Sequence, residues 1–212
     1  KIFNNSLSER ILKNFDFSLT KNQIKIIDEI NSDLKSDVKM FRLLQGDVGS
    51  GKTIVSLISA ANVIKSDYQV ALMAPTEILA TQHYELAKRI YKSTDIQIEL
   101  LTGKTESKEK KIIQKNLAKG KINMLIGTHA LFQKNTSFNK LGLVIVDEQH
   151  KFGVRQRIEL SNKGGVNCDI LLMSATPIPR TLILTIYGDM DVSRLLEKPF
   201  YKIIWLPLCN HK

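Results

Sequence analysis

The sequence comprises 212 residues, of which 43% are apolar and 25% carry a formal charge. That balance is typical of a folded globular chain, and it excludes a disordered chain, a fibre and a low-complexity repeat. Two cysteines are too few for a disulfide framework, and no stretch of about 18 apolar residues predicts a membrane span. We therefore expect a cytoplasmic protein with no membrane partner. Because the sequence starts at Lys1 without Met, we also expect it to be a piece of a longer chain.

The formal net charge is +10, with 31 Lys or Arg residues against 21 Asp or Glu residues. An excess of this size favours a polyanionic partner such as nucleic acid. A lysine-rich proteome gives the same excess in every protein, so charge alone does not separate the two interpretations.

Hydrophobic periodicity predicts helices and strands that alternate along the chain. Helices are predicted over residues 6–17, 21–35, 52–65, 77–92 and 105–119, with another starting near 179, and strands over 40–44, 70–73, 96–101, 122–126, 143–146 and 170–173. This order predicts an α/β fold in which helices cover both faces of a mainly parallel sheet. We divide the chain into a helical lead-in (1–18), a nucleotide-binding lobe (19–198) and a tail without helix or strand signal (199–212).

A phosphate-binding loop follows the first predicted strand. Residues 46–53 read G-D-V-G-S-G-K-T and match the pattern G-x-x-x-x-G-K-[ST] between a strand and a helix. Glycines permit positive φ angles that turn several N–H groups toward one point, and the helix start adds partial positive charge. In this pattern the Lys reaches the β- and γ-phosphates and the final hydroxyl binds Mg²⁺. The residues predicted to bind the nucleotide are Gly46, Asp47, Gly49, Ser50, Gly51, Lys52 and Thr53.

Two carboxylates, Asp147 and Glu148, follow the apolar strand at 143–146. A P-loop enzyme needs an Asp near its metal and a group that positions the attacking water, and these residues fit the two roles in that order. Adjacent side chains on a strand point to opposite faces, so the strand must end here if both are to serve one site. Gln149 and His150 come next, and we expect them to face the γ-phosphate or a neighbouring lobe.

Three further segments with hydroxyl side chains follow predicted strands, at 74–77 (A-P-T-E), 127–131 (G-T-H-A-L) and 174–177 (S-A-T-P). Hydroxyls and the N–H groups of a helix start are suited to gripping a phosphate backbone without reading bases. The same residues cap helices for the same reason, and the sequence leaves both interpretations open. His83, in a predicted helix with apolar neighbours, is interpreted as structural, and Cys168 as a packed thiol.

Taken together, these segments resemble the first motor lobe of a superfamily 2 helicase, which has a RecA-like P-loop NTPase fold. Residues 46–53 look like motif I, 75–82 like motif Ia, 147–150 like motif II in its D-E-x-H form and 174–176 like motif III. Phe17 with Gln23 resembles the upstream element that reads adenine. The segments 43–53, 73–80, 147–157, 173–182 and 187–193 are more closely similar to the RecG-type family of ATP-dependent DNA helicases.

The resemblance implies ATP-driven translocation on double-stranded DNA, which remodels stalled forks and Holliday junctions in repair and recombination. The implied cofactors are ATP and Mg²⁺. By the same resemblance, Lys52 and Thr53 bind phosphate and Mg²⁺, Asp147 binds Mg²⁺ and Glu148 activates the attacking water. The resemblance also implies residues that couple the state of the bound nucleotide to the affinity for DNA. These residues are Gln149, His150, Ser174, Ala175 and Thr176. The residues implied to lie along the DNA are Thr76, Thr102, Gly103, Thr128 and His129.

The sequence also departs from that family. The family carries an N-terminal wedge domain and a second motor lobe whose arginines complete the ATP site, and the sequence resembles neither. Residues 199–212 do not follow the family's continuation, which is typical of a truncated or frameshifted gene. We therefore predict a lobe that is weakly active alone and works with a second lobe in cis or trans. A non-catalytic nucleotide- or DNA-binding remnant and, less favoured, a small-molecule kinase are the alternatives.

Overall fold

The computed structural model describes Leu7, Ile11 and residues 18–132, 135–148, 168–176 and 190–198. Its helices are α1 (Lys21–Lys35), α2 (Lys52–Lys65), α3 (Glu77–Ile90) and α4 (Ser107–Ala118), with a 3₁₀ turn at His129–Phe132. Its strands are β1 (Phe41–Gly46), β2 (Gln69–Met73), β3 (Ile98–Leu101), β4 (Met124–Gly127), β5 (Leu141–Val146), β6 (Asp169–Ser174) and β7 (Asp191–Leu195). Apart from β7, these helices and strands were predicted to within two residues at each end. The helices predicted at 6–17 and from 179 lie outside the described residues, apart from the helical Leu7 and Ile11.

The described strands form one sheet in the order β3-β4-β2-β5-β6-β1-β7. Every pairing among them is parallel, which confirms the α/β prediction. Parallel strands need crossover connections, and α2, α3 and α4 supply those between β1 and β2, β2 and β3, and β3 and β4. All the carboxyl ends consequently lie at one edge of the sheet, where α/β proteins bind ligands.

Strand β7 was not predicted. It runs parallel to β1 at the end of the sheet, with Leu195 beside Gly46. Its five residues include three polar ones, so the sequence carries too little apolar signal for a strand. Its conformation depends on the hydrogen bonds that β1 offers, which are contacts between distant parts of the chain.

The core lies on both faces of the sheet. Successive strand residues point to opposite faces, so Leu44 packs with the cluster that contains α1, α2 and α3, while Leu43 packs with the cluster that contains α4. Leu7 and Ile11 are buried in the first cluster. None of the helices in the described ranges is long and apolar enough to cross a membrane.

A buried ion network holds α1 against the β7 end of the sheet. The guanidinium of Arg42 on β1 donates from Nε to Asp33 Oδ2 at 2.6 Å and from an Nη atom to Ser193 Oγ at 2.8 Å. The Ser193 hydroxyl in turn donates to Glu29 at 2.6 Å. Because Asp33 and Glu29 lie on α1 and Ser193 lies on β7, the network joins that helix to the two strands at this end of the sheet.

Candidate functional site

Apart from Phe17 and Gln23, which precede β1 in the sequence, the predicted site residues lie at or just after the carboxyl ends of six strands at one edge of the sheet. The register pairs Met73 with Gly127 and Val146, and Gln45 with Ser174, so these ends lie side by side. Of these, the residues predicted to bind the phosphates, hold the metal or couple nucleotide state to DNA lie at the ends of β1, β5 and β6, which are neighbours. The residues predicted for DNA follow β2, β3 and β4, which form the other half of the sheet. The two halves meet between β2 and β5.

The loop after β1 has the backbone that phosphate binding requires. Gly49 and Gly51 have φ angles of 82° and 88°, in the left-handed region that glycine adopts without steric cost. Gly51 is the N-cap of α2 and supplies no side-chain cap, so the first N–H groups of that helix remain available to an anion. Ser50 Oγ is buried and has no hydrogen-bond partner among the described residues. These features fit a loop that closes around phosphate oxygens.

Lys52 places its ammonium group inside this loop. Its Nζ donates to the carbonyl oxygens of Gly46 at 2.6 Å and Asp47 at 3.0 Å. Burial lowers the pKa of the Lys52 ammonium, while the negative charges of Asp147, Glu148 and Asp47 oppose that shift. The negative charges of the acidic pair therefore act on the lysine of the phosphate loop.

The acidic pair lies where β5 ends. The N–H of Asp147 donates to Met73 O at 2.8 Å, and its buried carboxylate accepts the N–H of Glu148 at 2.9 Å through Oδ1. Glu148 has a φ of 49°, which is uncommon for a residue other than glycine and turns the chain away from the strand direction. The strand thus ends at Val146, as the sequence argument required.

The donor set at this site fits Mg²⁺. Magnesium in nucleotide sites is held by one or two carboxylates or hydroxyls together with substrate phosphates and water. Thr53 lies in the first turn of α2, one residue after Lys52, and Asp147 carries a buried carboxylate whose negative charge acts on the Lys52 ammonium. These two side chains are the oxygen donors that would hold the metal.

Sequence reasoning missed the part that His83 takes in this site. His83 lies on α3 and is only 6% exposed, and its Nε2 is 2.7 Å from Asp147 Oδ2. Its interpretation as a structural residue among apolar neighbours left out this contact. The only sequence signal was a polar residue on an otherwise apolar helix face, and that signal does not identify a partner 64 residues away.

Gln23 lies beside the phosphate loop, but its side chain is already engaged. Its Oε1 accepts the N–H of Thr20 at 2.9 Å, and its N–H donates to the Thr20 hydroxyl at 3.1 Å, which forms a capping box at the start of α1. Its Nε2 donates to Ser50 O at 2.9 Å. Gln23 therefore ties α1 to the loop, and its contact with adenine stays a prediction. Phe17 lies outside the described residues.

The segment at 174–176 is also tied to the loop. Ser174 Oγ lies 3.0 Å from Thr176 Oγ1 and accepts the N–H of Thr176 at 3.2 Å. Gln45, which directly precedes the loop, donates from Nε2 to Thr176 O at 3.0 Å. Ala175 lies between the two hydroxyl residues in a bend. These contacts support a coupling role, which stays a prediction; Gln149 and His150 lie outside the described residues.

The five residues predicted to lie along DNA differ in exposure. Thr76, Gly103 and His129 are exposed, whereas Thr102 and Thr128 are each 8% exposed. The Thr76 hydroxyl accepts a hydrogen bond from the first turn of α3 at 3.3 Å, so it caps that helix. Capping does not prevent a phosphate contact, because a hydroxyl has a donor as well as two lone pairs. The DNA contacts of all five residues stay a prediction.

The sequence matches the family profile described as DEAD/DEAH box helicase over residues 20–184. The chain belongs to the DEAD/DEAH box helicase family. The match covers the phosphate loop, the acidic pair and the segment at 174–176, which are the parts that the structure brings together at one edge. Membership in this family disfavours the small-molecule kinase interpretation.

The chain is similar to two curated proteins named ATP-dependent DNA helicase RecG. It is 51% identical to the Aquifex aeolicus protein, with 90% of this chain and 24% of that protein covered. It is 49% identical to the Bacillus subtilis protein, with 93% and 29% covered. The chain thus spans about a quarter of the length of these relatives.

Solved structures agree with the assignment of the chain to this family. The structure titled RecG bound to a three-way DNA junction superposes with a TM-score of 0.80 at 44% identity, covering 92% of this chain and 26% of that one. A DEAD box protein from Methanococcus jannaschii has a TM-score of 0.68 at 20% identity, covering 90% and 53%. The second similarity concerns the fold alone, and it confirms the RecA-like lobe.

Proposed function

We propose that these 212 residues form the ATP-binding motor lobe of a DNA translocase that remodels stalled forks and Holliday junctions. The observation that carries the proposal is the position of Lys52. Its ammonium lies within the phosphate loop, and the negative charges of Asp147 and Glu148 both act to raise its pKa. A P-loop lysine next to two carboxylates is the arrangement that phosphoryl transfer requires. Family membership and identity to RecG helicases support the use of ATP.

In this proposal each side chain has one task. Lys52 leaves its carbonyl partners and donates to the phosphates, whose negative charge it stabilises. Thr53 and Asp147 would hold Mg²⁺, which would supply positive charge that neutralises the phosphates. Glu148 orients the attacking water and accepts its proton. Gln23 and Phe17 contact the adenine, and Gln149, His150 and the segment 174–176 transmit the nucleotide state.

The DNA half of the proposal is supported by a relative. One similar structure is a RecG bound to a three-way DNA junction, so branched duplex DNA is the proposed partner here. The hydroxyl and N–H groups after β2, β3 and β4 would contact phosphates, because such groups fix a backbone without reading bases. Hydrolysis is expected to be weak for these 212 residues alone, because an arginine supplied in cis or trans contributes on the order of 10³–10⁵ to such rates.

The test of nucleotide binding is a titration of the 212-residue chain with a fluorescent, non-hydrolysable ATP analogue in the presence of Mg²⁺. Lys52→Ala removes a charge-assisted hydrogen bond of about 1.5–3 kcal/mol, so the dissociation constant is expected to rise about 10- to 100-fold. Lys65→Ala is the matched control, because Lys65 is an exposed lysine in the last turn of the same helix. Its affinity is expected to equal that of the wild-type chain. Equal affinity of the wild-type and Lys52→Ala chains for the ATP analogue would contradict the proposal.

A non-catalytic remnant that binds only nucleotide or DNA is the second candidate. Both candidates predict nucleotide binding, so only hydrolysis in the presence of a second lobe separates them.

A further inference from the structure

We propose that His83 is a positioning residue that orients the carboxylate of Asp147 for Mg²⁺ and joins the metal site to helix α3. The proposal rests on the proposed function, because it assigns a partner to the residue that would hold the metal. His83 does not touch the nucleotide in this proposal. It acts through Asp147.

The geometry fixes both oxygens of the Asp147 carboxylate. His83 Nε2 lies 2.7 Å from Oδ2, and the N–H of Glu148 donates to Oδ1 at 2.9 Å. An ionised carboxylate only accepts hydrogen bonds, so His83 Nε2 carries the proton in this contact. With one donor on each oxygen, the plane of the carboxylate is set while further lone pairs remain for a metal.

Burial protects the hydrogen bond between His83 and Asp147 from competition by water. His83 and Asp147 are 6% and 7% exposed, so water cannot readily replace either partner. A buried polar side chain costs free energy unless its hydrogen bond is made, and an apolar residue at position 83 would fill a helix face that already contains Ala80, Ala87 and Ile90. Packing of α3 on the sheet therefore does not require a histidine at this position, whereas orientation of Asp147 does require a donor.

The contact also spans the boundary between the two halves of the sheet. Helix α3 follows β2 and is capped by Thr76, which is predicted to lie along DNA, whereas Asp147 follows β5. The N–H of Asp147 donates to Met73 O at the end of β2, so backbone and side chain both join Asp147 to the β2–α3 unit. A shift of α3 would consequently move the carboxylate.

The expected effect is on magnesium. Residues that hydrogen-bond to metal ligands commonly contribute about 10- to 100-fold to metal affinity. His83→Leu removes the donor, so it should raise the Mg²⁺ concentration that gives half-maximal binding of the ATP analogue by about tenfold. His83→Gln places an amide Nε2 donor near the imidazole Nε2 and should restore much of that affinity.

The experiment titrates Mg²⁺ at a fixed concentration of the fluorescent ATP analogue, using the 212-residue chain and the two His83 variants. Ile90→Val is the matched control, because it changes a buried residue on the same helix that has no contact with Asp147 among those described. Urea unfolding of each variant is measured in parallel. A loss of Mg²⁺ affinity in His83→Leu, its recovery in His83→Gln and no change in Ile90→Val would support the proposal.

The contrary results are distinct. A wild-type chain that binds the analogue with Mg²⁺ while His83→Leu shows the same Mg²⁺ midpoint contradicts the positioning role and leaves the proposed function standing. If His83→Leu does not fold, His83→Gln becomes the test. The proposal then requires that the Mg²⁺ midpoint of His83→Gln stay within about threefold of the wild-type value. That limit is well below the 10- to 100-fold change expected when a metal ligand loses its hydrogen-bond partner. A wild-type chain that does not bind the analogue overturns the proposed function together with this inference.

Discussion

Single residues with positive φ angles surround the candidate site. Gly49 and Gly51 turn the phosphate loop, and Glu148 turns the chain after β5. Glycine adopts this region freely, whereas Glu148 does so at a cost, and such strain is found at functional positions. A side chain added at the two glycines would meet different surroundings. A Cβ at Gly49 meets nothing within 4 Å, while one at Gly51 lies 2.3 Å from Gln23 Nε2.

These surroundings predict unequal effects for two otherwise matched substitutions. Gly49→Ala should lower the free energy of unfolding by about 1–2 kcal/mol, the cost of a left-handed alanine. Gly51→Ala should lower it further, because Gln23 must move and lose its hydrogen bond to Ser50 O. Urea unfolding of both variants measures the difference. In a double-mutant cycle, Gln23→Ala should remove the extra cost at Gly51; additive effects of the two changes would contradict this explanation.

At the scale of elements, strand β3 forms one end of the sheet and carries a carboxyl group that is only half exposed. Burial raises the pKa of Glu99, the negative charge of Glu109 raises it further, and Lys88 opposes the shift. A carboxyl with a raised pKa in the folded chain favours folding below its ordinary pKa of 4.5, where both states are protonated. That contribution is lost as pH rises through the folded-state pKa, because the folded chain then holds a desolvated charge.

Glu99→Gln should therefore stabilise the chain at neutral pH, and its advantage over the wild-type chain should shrink as pH falls toward 4.5. Urea unfolding midpoints measured from pH 7.5 down to pH 4.5 test this expectation. Glu85→Gln is the control, since Glu85 is an exposed acid on α3 and its removal changes net charge by the same amount. A Glu99→Gln advantage that is constant with pH, or one that Glu85→Gln reproduces, would falsify the argument.

At the scale of the whole molecule, one sheet edge holds both the nucleotide residues and the residues predicted for DNA. This sequence spans about a quarter of the RecG relatives, and the proposed motor needs an arginine from a second lobe. Adding a separately produced second lobe from the Bacillus subtilis relative should raise ATP turnover by a factor on the order of 10³ in the presence of branched DNA. Turnover is measured by phosphate release, with the Lys52→Ala chain as control. Unchanged turnover, with nucleotide binding intact, favours the non-catalytic remnant.

The sequence alone determined the order of helices and strands up to β6 and the positions of the phosphate loop and acidic pair. Both depend on local signals, namely hydrophobic periodicity within a dozen residues and a loop pattern whose glycines act on their own backbone. The end of β5 at Val146 was also predictable, because adjacent carboxylates can share a site only where a strand stops.

Only the tertiary structure decided the contacts that hold the site in place. His83 reaches Asp147 across 64 residues, Gln23 reaches Ser50 across 27, and β7 forms on an edge that β1 provides. The sequence around each of these residues does not indicate a distant partner. A histidine in a helix is explained by packing, and a glutamine three residues after a threonine is explained by a capping box. Their roles arise from distances between elements, and those distances exist only once the sheet has brought its carboxyl ends together.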